Sequence, residues 1–170
     1  KDIDIELEVS RNLNGETKRL PVGRRTMPCD SILFMEYELE DETELWDDYI
    51  QPLYRLTASI VRGGIRDCKS ISFGMRKFAV NGTQFTINDR ITFLRGKHDA
   101  CVFPKTGYPP MDASDWLRIF KIARSWGINH YRFHSYCPPE AAFEAADQLG
   151  IFLQPELPFW GGLDSDTVAA

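Results

Sequence analysis

No stretch of the chain approaches the ~20 consecutive apolar residues that a bilayer-spanning helix needs. Lys1 opens no leader of the positively charged, apolar kind, so neither a membrane segment nor a targeting signal is expected. Basic residues are in deficit, 20 Lys and Arg against 25 Asp and Glu, for a formal net charge of -5 and a pI near 5.2. That balance argues against nucleic acid or an anionic membrane as the main partner. Cysteines are few and scattered: Cys29, Cys68, Cys101 and Cys137 form no C-x-x-C pair, which speaks against a structural zinc site. They are expected as free, buried thiols, with Cys101 and Cys137 the one pair placed to be tested for a disulfide. No G-x-G-x-x-G turn is present, so a dinucleotide cofactor has no support, and no other cofactor is expected. What remains is an ordinary globular composition, 43% apolar and 26% charged, over 170 residues, enough for one or two domains.

The stretch that organises the chain is GINHYRFHSYCPPEAAFEAADQLGIFLQPELPFWGG at residues 127–162. His130-Tyr131-Arg132-Phe133-His134 reads as a short aromatic strand, and Pro138-Pro139-Glu140 opens a helix. Ala142, Phe143, Ala146 and Leu149 recur at helical spacing; Gly150 ends the helix and Ile151-Phe152-Leu153 resumes a strand. A proline in the first turn lacks only an N–H that would be unpaired anyway, and a glycine past the last turn can take the left-handed conformation that stops a helix. The same grammar occurs one unit earlier. Ile91-Thr92-Phe93-Leu94 is a strand, followed by a Gly- and Pro-rich loop and an N-cap at Asp112 or Ser114. The helix after it has Trp116, Ile119, Phe120, Ala123 and Trp126 on its apolar face and is closed by Gly127. Successive units of this kind give parallel neighbouring strands, in a doubly wound sheet or a (β/α) barrel.

In both architectures ligands bind beyond the carboxyl ends of the strands. Those ends carry His98-Asp99, His134-Ser135 and Glu156. His98 and His134 can bind ligand hydroxyls through their ring nitrogens, or simply hydrogen-bond a neighbouring loop. Trp160, Phe159 and Tyr136 offer flat apolar faces on which a ligand ring can stack, or cover for the mouth of the sheet. Glu156 is a site neighbour or a rim carboxylate paired with an arginine such as Arg132; Arg95, inside a strand, is expected to pair with Asp99 or Glu156. One rival reading gathers His98, Asp99, His134 and Glu156 around a metal in a barrel hydrolase. A second makes the chain a non-catalytic carbohydrate-binding or scaffolding segment.

The N-terminal part follows a period of two. Ile3, Ile5, Leu7 and Val9 alternate with acidic residues, and Leu33, Met35, Tyr37 and Leu39 alternate with Phe34, Glu36, Glu38 and Glu40; Tyr54, Leu56, Ala58 and Ile60 repeat the pattern, which ends at Ile71 and Phe73. Short strands without an intervening helix suggest a small immunoglobulin-like β-sandwich, normally about seven strands. Fewer are visible, so the domain is abbreviated or the chain starts inside it. Asn81-Gly82, between alternating residues, predicts a hairpin turn with both central residues at positive φ, and Asn81-Gly82-Thr83 also fits a glycosylation sequon. The expected domains are residues 1–76, the sandwich, and 77–170, the β/α part.

Taken jointly, ELWDDYIQPLYRL at 44–56, FGMRKF at 73–78, FLRG at 93–96, NHYR at 129–132 and DQLGI at 147–151 resemble glycoside hydrolase family 2, which includes β-galactosidases, β-glucuronidases and β-mannosidases. The resemblance implies a jelly-roll domain, an immunoglobulin-like middle domain and a (β/α)₈ catalytic barrel. This chain would hold most of the middle domain and the first three β/α units of the barrel. It further implies retaining hydrolysis by two carboxyl groups about 5 Å apart. In the family these are glutamates after the fourth and seventh barrel strands, which places both beyond Ala170. No catalytic residue is then expected within the chain, and His98, Asp99, His134, Ser135, Glu156 and Trp160 become candidate substrate-binding residues. Partners implied are a carbohydrate substrate and the remaining domains of the same polypeptide. One departure bears on the site. The family's usual histidine after the second strand stands one position later than His134, at Ser135, so either residue could face the substrate.

Overall fold

The computed structural model describes residues 2–29, 32–39 and 43–161, which fold into two compact units, 1–92 and 93–170. The first unit is all β. Strand β1 (Asp2–Leu13) pairs with β2 (Glu16–Arg19) and β3 (Gly23–Pro28) along one side and β4 (Leu53–Arg62) along the other. Strand β5 (Ile65–Phe73) extends the sheet beyond β4, and every pairing is antiparallel. A second sheet is a meander of β6 (Phe78–Asn81), β7 (Gln84–Ile87) and β8 (Arg90–Thr92).

Alternation in β1 does what its pattern requires: Ile3, Ile5, Leu7 and Val9 are buried, and Leu33, Met35 and Tyr37 pack on the first three. Residues 32–39 nevertheless form no strand. Alternation records which side of a segment is covered, and the ladder needs a partner the pattern does not encode. Strands β2 and β5 are almost wholly exposed, so they carry no periodic signal to read.

Two-residue turns close the hairpins. Asn14-Gly15, Gly63-Gly64 and Asn88-Asp89 each hold both central residues at positive φ, the geometry whose twist matches the flanking strands. The turn expected at Asn81-Gly82 is displaced by one residue. Asn81 pairs with Gln84, and the central residues are Gly82, at φ 60, and Thr83, which does not share its positive φ. Glycine in the first central position is the mirror type II arrangement, in which asparagine belongs to the strand.

The hairpin also falls in the first unit, whereas the boundary expected near Arg76 assigns it to the second. Asn88 Nδ2 donates to the Trp46 carbonyl at 3.1 Å, and Arg90 Nη2 pairs with Asp47 at 3.0 Å and Asp48 at 3.2 Å. These bonds fasten the meander to the segment before β4. As a result Ile91-Thr92 ends an antiparallel meander, and Phe93 follows it exposed, outside any parallel strand.

The second unit is β9 (Gly96–Asp99), α1 (Ala113–Ser125), β10 (His130–Phe133), α2 (Glu140–Leu149) and β11 (Phe152–Pro155). The three strands are parallel, in the order β11-β10-β9. The first parallel strand is therefore Gly96–Asp99, with His98 and Asp99 as its last two residues. Asp112 is the N-cap of α1, and Pro139 stands just outside α2 as its N-cap. Both helices end alike: the Ile128 N–H bonds to the Ala123 carbonyl and the Ile151 N–H to the Ala146 carbonyl, each at 3.1 Å, with Gly127 and Gly150 left-handed before them. Trp126, expected on the apolar face of α1, is its C-cap and lies 82% exposed. Arg124 caps the end of α2 by donating to the Leu149 and Gly150 carbonyls.

One face of this sheet, Tyr131 and Phe133, packs on Trp116 and Phe120 of α1 and on the alanines of α2. Asn129 joins the strands at their amino ends: its Oδ1 accepts the Arg95 N–H at 2.8 Å and its carbonyl accepts the Phe152 N–H at 2.8 Å. Arg95 donates to the Gly127 and Phe93 carbonyls rather than pairing with Asp99 or Glu156. All four cysteines are free, and all are exposed rather than buried, because each lies in a loop or an edge strand. At Gly96 an added Cβ would stand 2.8 Å from Nδ1 of His130, the neighbour across the ladder. Gly96→Ala is expected to destabilise the unit by about 1–3 kcal/mol through overpacking. Urea unfolding checks it, and an unchanged midpoint would mean that the imidazole swings aside at no cost.

Candidate site at the strand ends

Side chains alternate along β10, so Arg132 lies on the face opposite Tyr131 and Phe133. The register pairs Arg132 with His98, which puts His98 on that same face. His134 follows the last strand residue in phase with Arg132, and the rings of His98 and His134 stand 4.9 Å apart. Immediately afterwards Ser135 takes φ 59, an uncommon conformation for a residue with a side chain. That kink ends the alternation, so His134 rather than Ser135 shares the face with Arg132.

Glu156, just past β11, is the hub. Its Oε1 accepts Arg132 Nε at 2.6 Å and Gln154 Nε2 at 3.2 Å; its Oε2 accepts the Ser135 N–H at 2.9 Å and Arg132 Nη2 at 3.3 Å. His134 Nδ1 lies 3.2 Å from Arg132 Nη2 and 3.5 Å from Glu156 Oε2. Trp160 meets the His134 ring edge-on at 5.2 Å and is 77% exposed. The Arg132 guanidinium first, then the Ser135 N–H, holds the Glu156 carboxyl down at about 2. A carboxylate so held is ionised throughout the neutral range and has no proton to give.

The sign of the pH effect follows. With its folded value below the ordinary 4.5, Glu156 contributes stability that is complete above that value and lost as pH falls toward about 2. Unfolding midpoints measured across that window should therefore fall less steeply in Glu156→Gln than in the parent. Parallel slopes would remove the Arg132–Glu156 pair as a source of acid sensitivity.

Asp99 stands apart. The register places it opposite Phe133, on the helix-facing side with Lys97, away from His98 and Glu156. Its carboxylate accepts Lys97 Nζ at 2.8 Å, the Tyr136 hydroxyl at 2.6 Å and the Cys101 N–H at 3.1 Å, and its backbone carbonyl accepts the His134 N–H at 2.7 Å. Burial alone would raise the Asp99 carboxyl, but these donors outweigh it and hold it below the usual range. Tyr136 is pushed upward by burial and by its bond to Asp99; Tyr131 rises to about 12, by burial first and then by the negative charge of Asp99 nearby. With its hydroxyl spent on Asp99 and its ring against Phe133 at 5.3 Å, Tyr136 is a packing residue rather than a free platform.

The expected group of His98, His134, Glu156 and Trp160 is thus brought together, with Ser135 contributing its backbone N–H, while Asp99 is not part of it. The metal reading loses its ligand set: among the described residues no group of three His, Cys, Asp or Glu is placed to hold an ion. Asp99 faces the other way, and Glu156 is filled by Arg132 and Ser135. Gln154 and Lys97 were not expected in these roles. Each lies two positions before a carboxylate, Glu156 and Asp99, a spacing that in a strand puts both side chains on one face.

No family model matches the chain. A β-glucuronidase of Pongo abelii is 30% identical over 128 residues, 67% of this chain and 19% of that protein. A β-galactosidase of Lactococcus lactis is 25% identical over 115 residues, 66% of this chain and 11% of that protein. A glycosyl hydrolase family 2 member from Bacteroides cellulosilyticus has a solved structure that superposes with a TM-score of 0.71 at 19% identity, covering 97% of this chain and 22% of that one. The chain is glycoside hydrolase family 2-like. This family 2-like chain spans about a fifth or less of the length of the relatives it matches. Its mostly β architecture with two helices is shared with the solved structure, and the strand-end cluster lies wholly in its second unit.

Proposed function

We propose that the chain is the part of a β-glycosidase that holds most of an immunoglobulin-like domain, in the first unit, and the first three β/α units of a (β/α)₈ catalytic barrel, in the second. The protein would hydrolyse β-O-glycosidic bonds with retention of configuration. The observation that carries this reading is the collection of His98, His134, Glu156 and Trp160 at the carboxyl ends of three consecutive parallel strands, where β/α barrels build their sites. It gains weight from relatives that are themselves a β-glucuronidase and a β-galactosidase.

In this reading the described residues bind and orient. His98 and His134 hydrogen-bond sugar hydroxyls, Trp160 stacks on a pyranose face, and Arg132 with Glu156 holds His134 in place. Glu156 is unsuited to be the general acid, which must be protonated at the working pH. Acid/base and nucleophile are then the two glutamates that the family carries after its fourth and seventh barrel strands, about 5 Å apart. Asp99 serves as an anchor between the loops that follow β9 and β10.

The test uses the whole protein with nitrophenyl β-glucuronide and β-galactoside, following the first-formed sugar by NMR. Turnover of either substrate with β product appearing first is expected. An α product would overturn the retaining mechanism, and no turnover of any aryl β-glycoside would overturn the enzyme. The 170-residue chain alone should show no rate above buffer. Hydrolysis by that chain, abolished in Glu156→Gln, would place the acid on Glu156 instead.

A further inference from the structure

We infer that Arg132 and Glu156 together fix the tautomer of His134, so that its Nδ1 is a bare acceptor and its Nε2 carries the hydrogen that faces the strand-end mouth. An ionised carboxylate has about four lone-pair sites. All four on Glu156 are taken, two on Oε1 by Arg132 Nε and Gln154 Nε2 and two on Oε2 by Arg132 Nη2 and the Ser135 N–H. An Nδ1–H on His134 would therefore find Oε2, 3.5 Å away, already filled. It would also point a hydrogen toward Arg132 Nη2 at 3.2 Å, and a guanidinium can only donate. Ser135 Oγ, 3.5 Å from Nδ1, can turn its own hydrogen toward that nitrogen. With Nδ1 bare, Arg132 Nη2 has an acceptor and every donor around the ring is satisfied.

Nε2 then bears the proton and makes no hydrogen bond with any described residue. It offers a donor, and the ligand group that suits a neutral imidazole donor is an oxygen lone pair, such as that of a sugar hydroxyl. This last step rests on the glycosidase reading; the tautomer itself does not. Arg132 and Glu156 are on this account positioning residues that act through His134.

The chain has three histidines, His98, His130 and His134, which makes the assignment direct. The 170-residue chain, labelled with nitrogen-15, is examined at neutral pH by long-range correlation of ring carbons' protons to ring nitrogens. His98→Gln and His130→Gln identify the His134 signals. The expected pattern for His134 is a protonated, pyrrole-like Nε2 and an unprotonated, pyridine-like Nδ1. In Arg132→Met, Glu156 loses two of its four donors and Nδ1 keeps only the longer contact with Ser135 Oγ, so the hydrogen should move to Nδ1 and donate to Glu156. Arg132→Lys, which keeps a cationic donor, should retain the parent pattern. A parent spectrum with the hydrogen on Nδ1 overturns the inference, and so does an unchanged tautomer in Arg132→Met. If Arg132→Met does not fold, the parent and Arg132→Lys spectra still decide. Failure of the whole protein to hydrolyse any β-glycoside would remove the proposed ligand while leaving the tautomer result standing.

Discussion

Trp116→Ala is expected to cost the second unit about 3–5 kcal/mol, the range for removing a large aromatic from a packed core. Trp116 is fully buried, with ring centroids of Phe120 at 5.4 Å, Phe133 at 5.9 Å and Phe103 at 6.3 Å. Its Nε1–H donates to the Pro110 carbonyl at 2.8 Å, so the substitution also leaves an acceptor without its partner. Trp116→Phe retains much of the ring volume and loses the N–H, and should fall well short of the alanine variant. Urea unfolding of both variants beside the parent separates the contributions. A loss below about 1 kcal/mol for the alanine variant would mean that the surrounding rings collapse into the space, and that the cluster is less tightly specified than its contacts imply.

The second large effect is kinetic. If His134 contacts the bound sugar, His134→Ala in the whole protein removes a hydrogen bond that tightens as charge develops on the ring, and kcat/KM should fall by roughly 2–4 kcal/mol, about two to three orders of magnitude. Stability should barely change, because the ring sits at a strand end and outside the buried aromatic cluster. Measuring both quantities on one variant makes the result decisive. Near-normal kcat/KM with a Tm several degrees lower would retire His134 as a substrate contact and reduce it to a brace for Arg132.

What the sequence made legible were the elements whose burial is one-sided. Strand β1 alternates because one face meets the core, and the two helices declare themselves by their closing glycines and by apolar stripes that the fold buries at Trp116, Phe120 and Ala123 and at Ala142 and Ala146, with Trp126 left outside. The carboxyl ends of β10 and β11 were legible for the same reason, since a polar residue directly after a short strand rich in apolar residues marks the end of cover. Strands β2 and β5 were not, because both of their faces meet solvent and no periodicity results. The turn at Gly82-Thr83 was misplaced by one residue because Asn-Gly fits either of two registers, and pairing across the hairpin, not the dipeptide, selects between them. Asp99 was grouped with His98 because the first parallel strand was drawn around Ile91-Thr92-Phe93-Leu94, which leaves both residues in the loop after it. Once the strand is Gly96–Asp99, alternation sends His98 to the mouth and Asp99 to the helices. The departure of one residue at His134 and Ser135 needed the backbone to resolve it, since a left-handed serine cannot be read from composition.

The connections of the first unit fix an order of events in folding. Pairs β1–β2, β4–β5, β6–β7 and β7–β8 are each closed by two residues, and such hairpins form in about 1–10 μs. Strands β1 and β4 are different: β2, β3 and the segment up to Pro52 lie between them, so their ladder must first close a long loop. The seam at the middle of the sheet is therefore its slowest part to assemble. Until β4 seats on β1, the β1–β2 and β4–β5 hairpins each leave an inner edge unpaired.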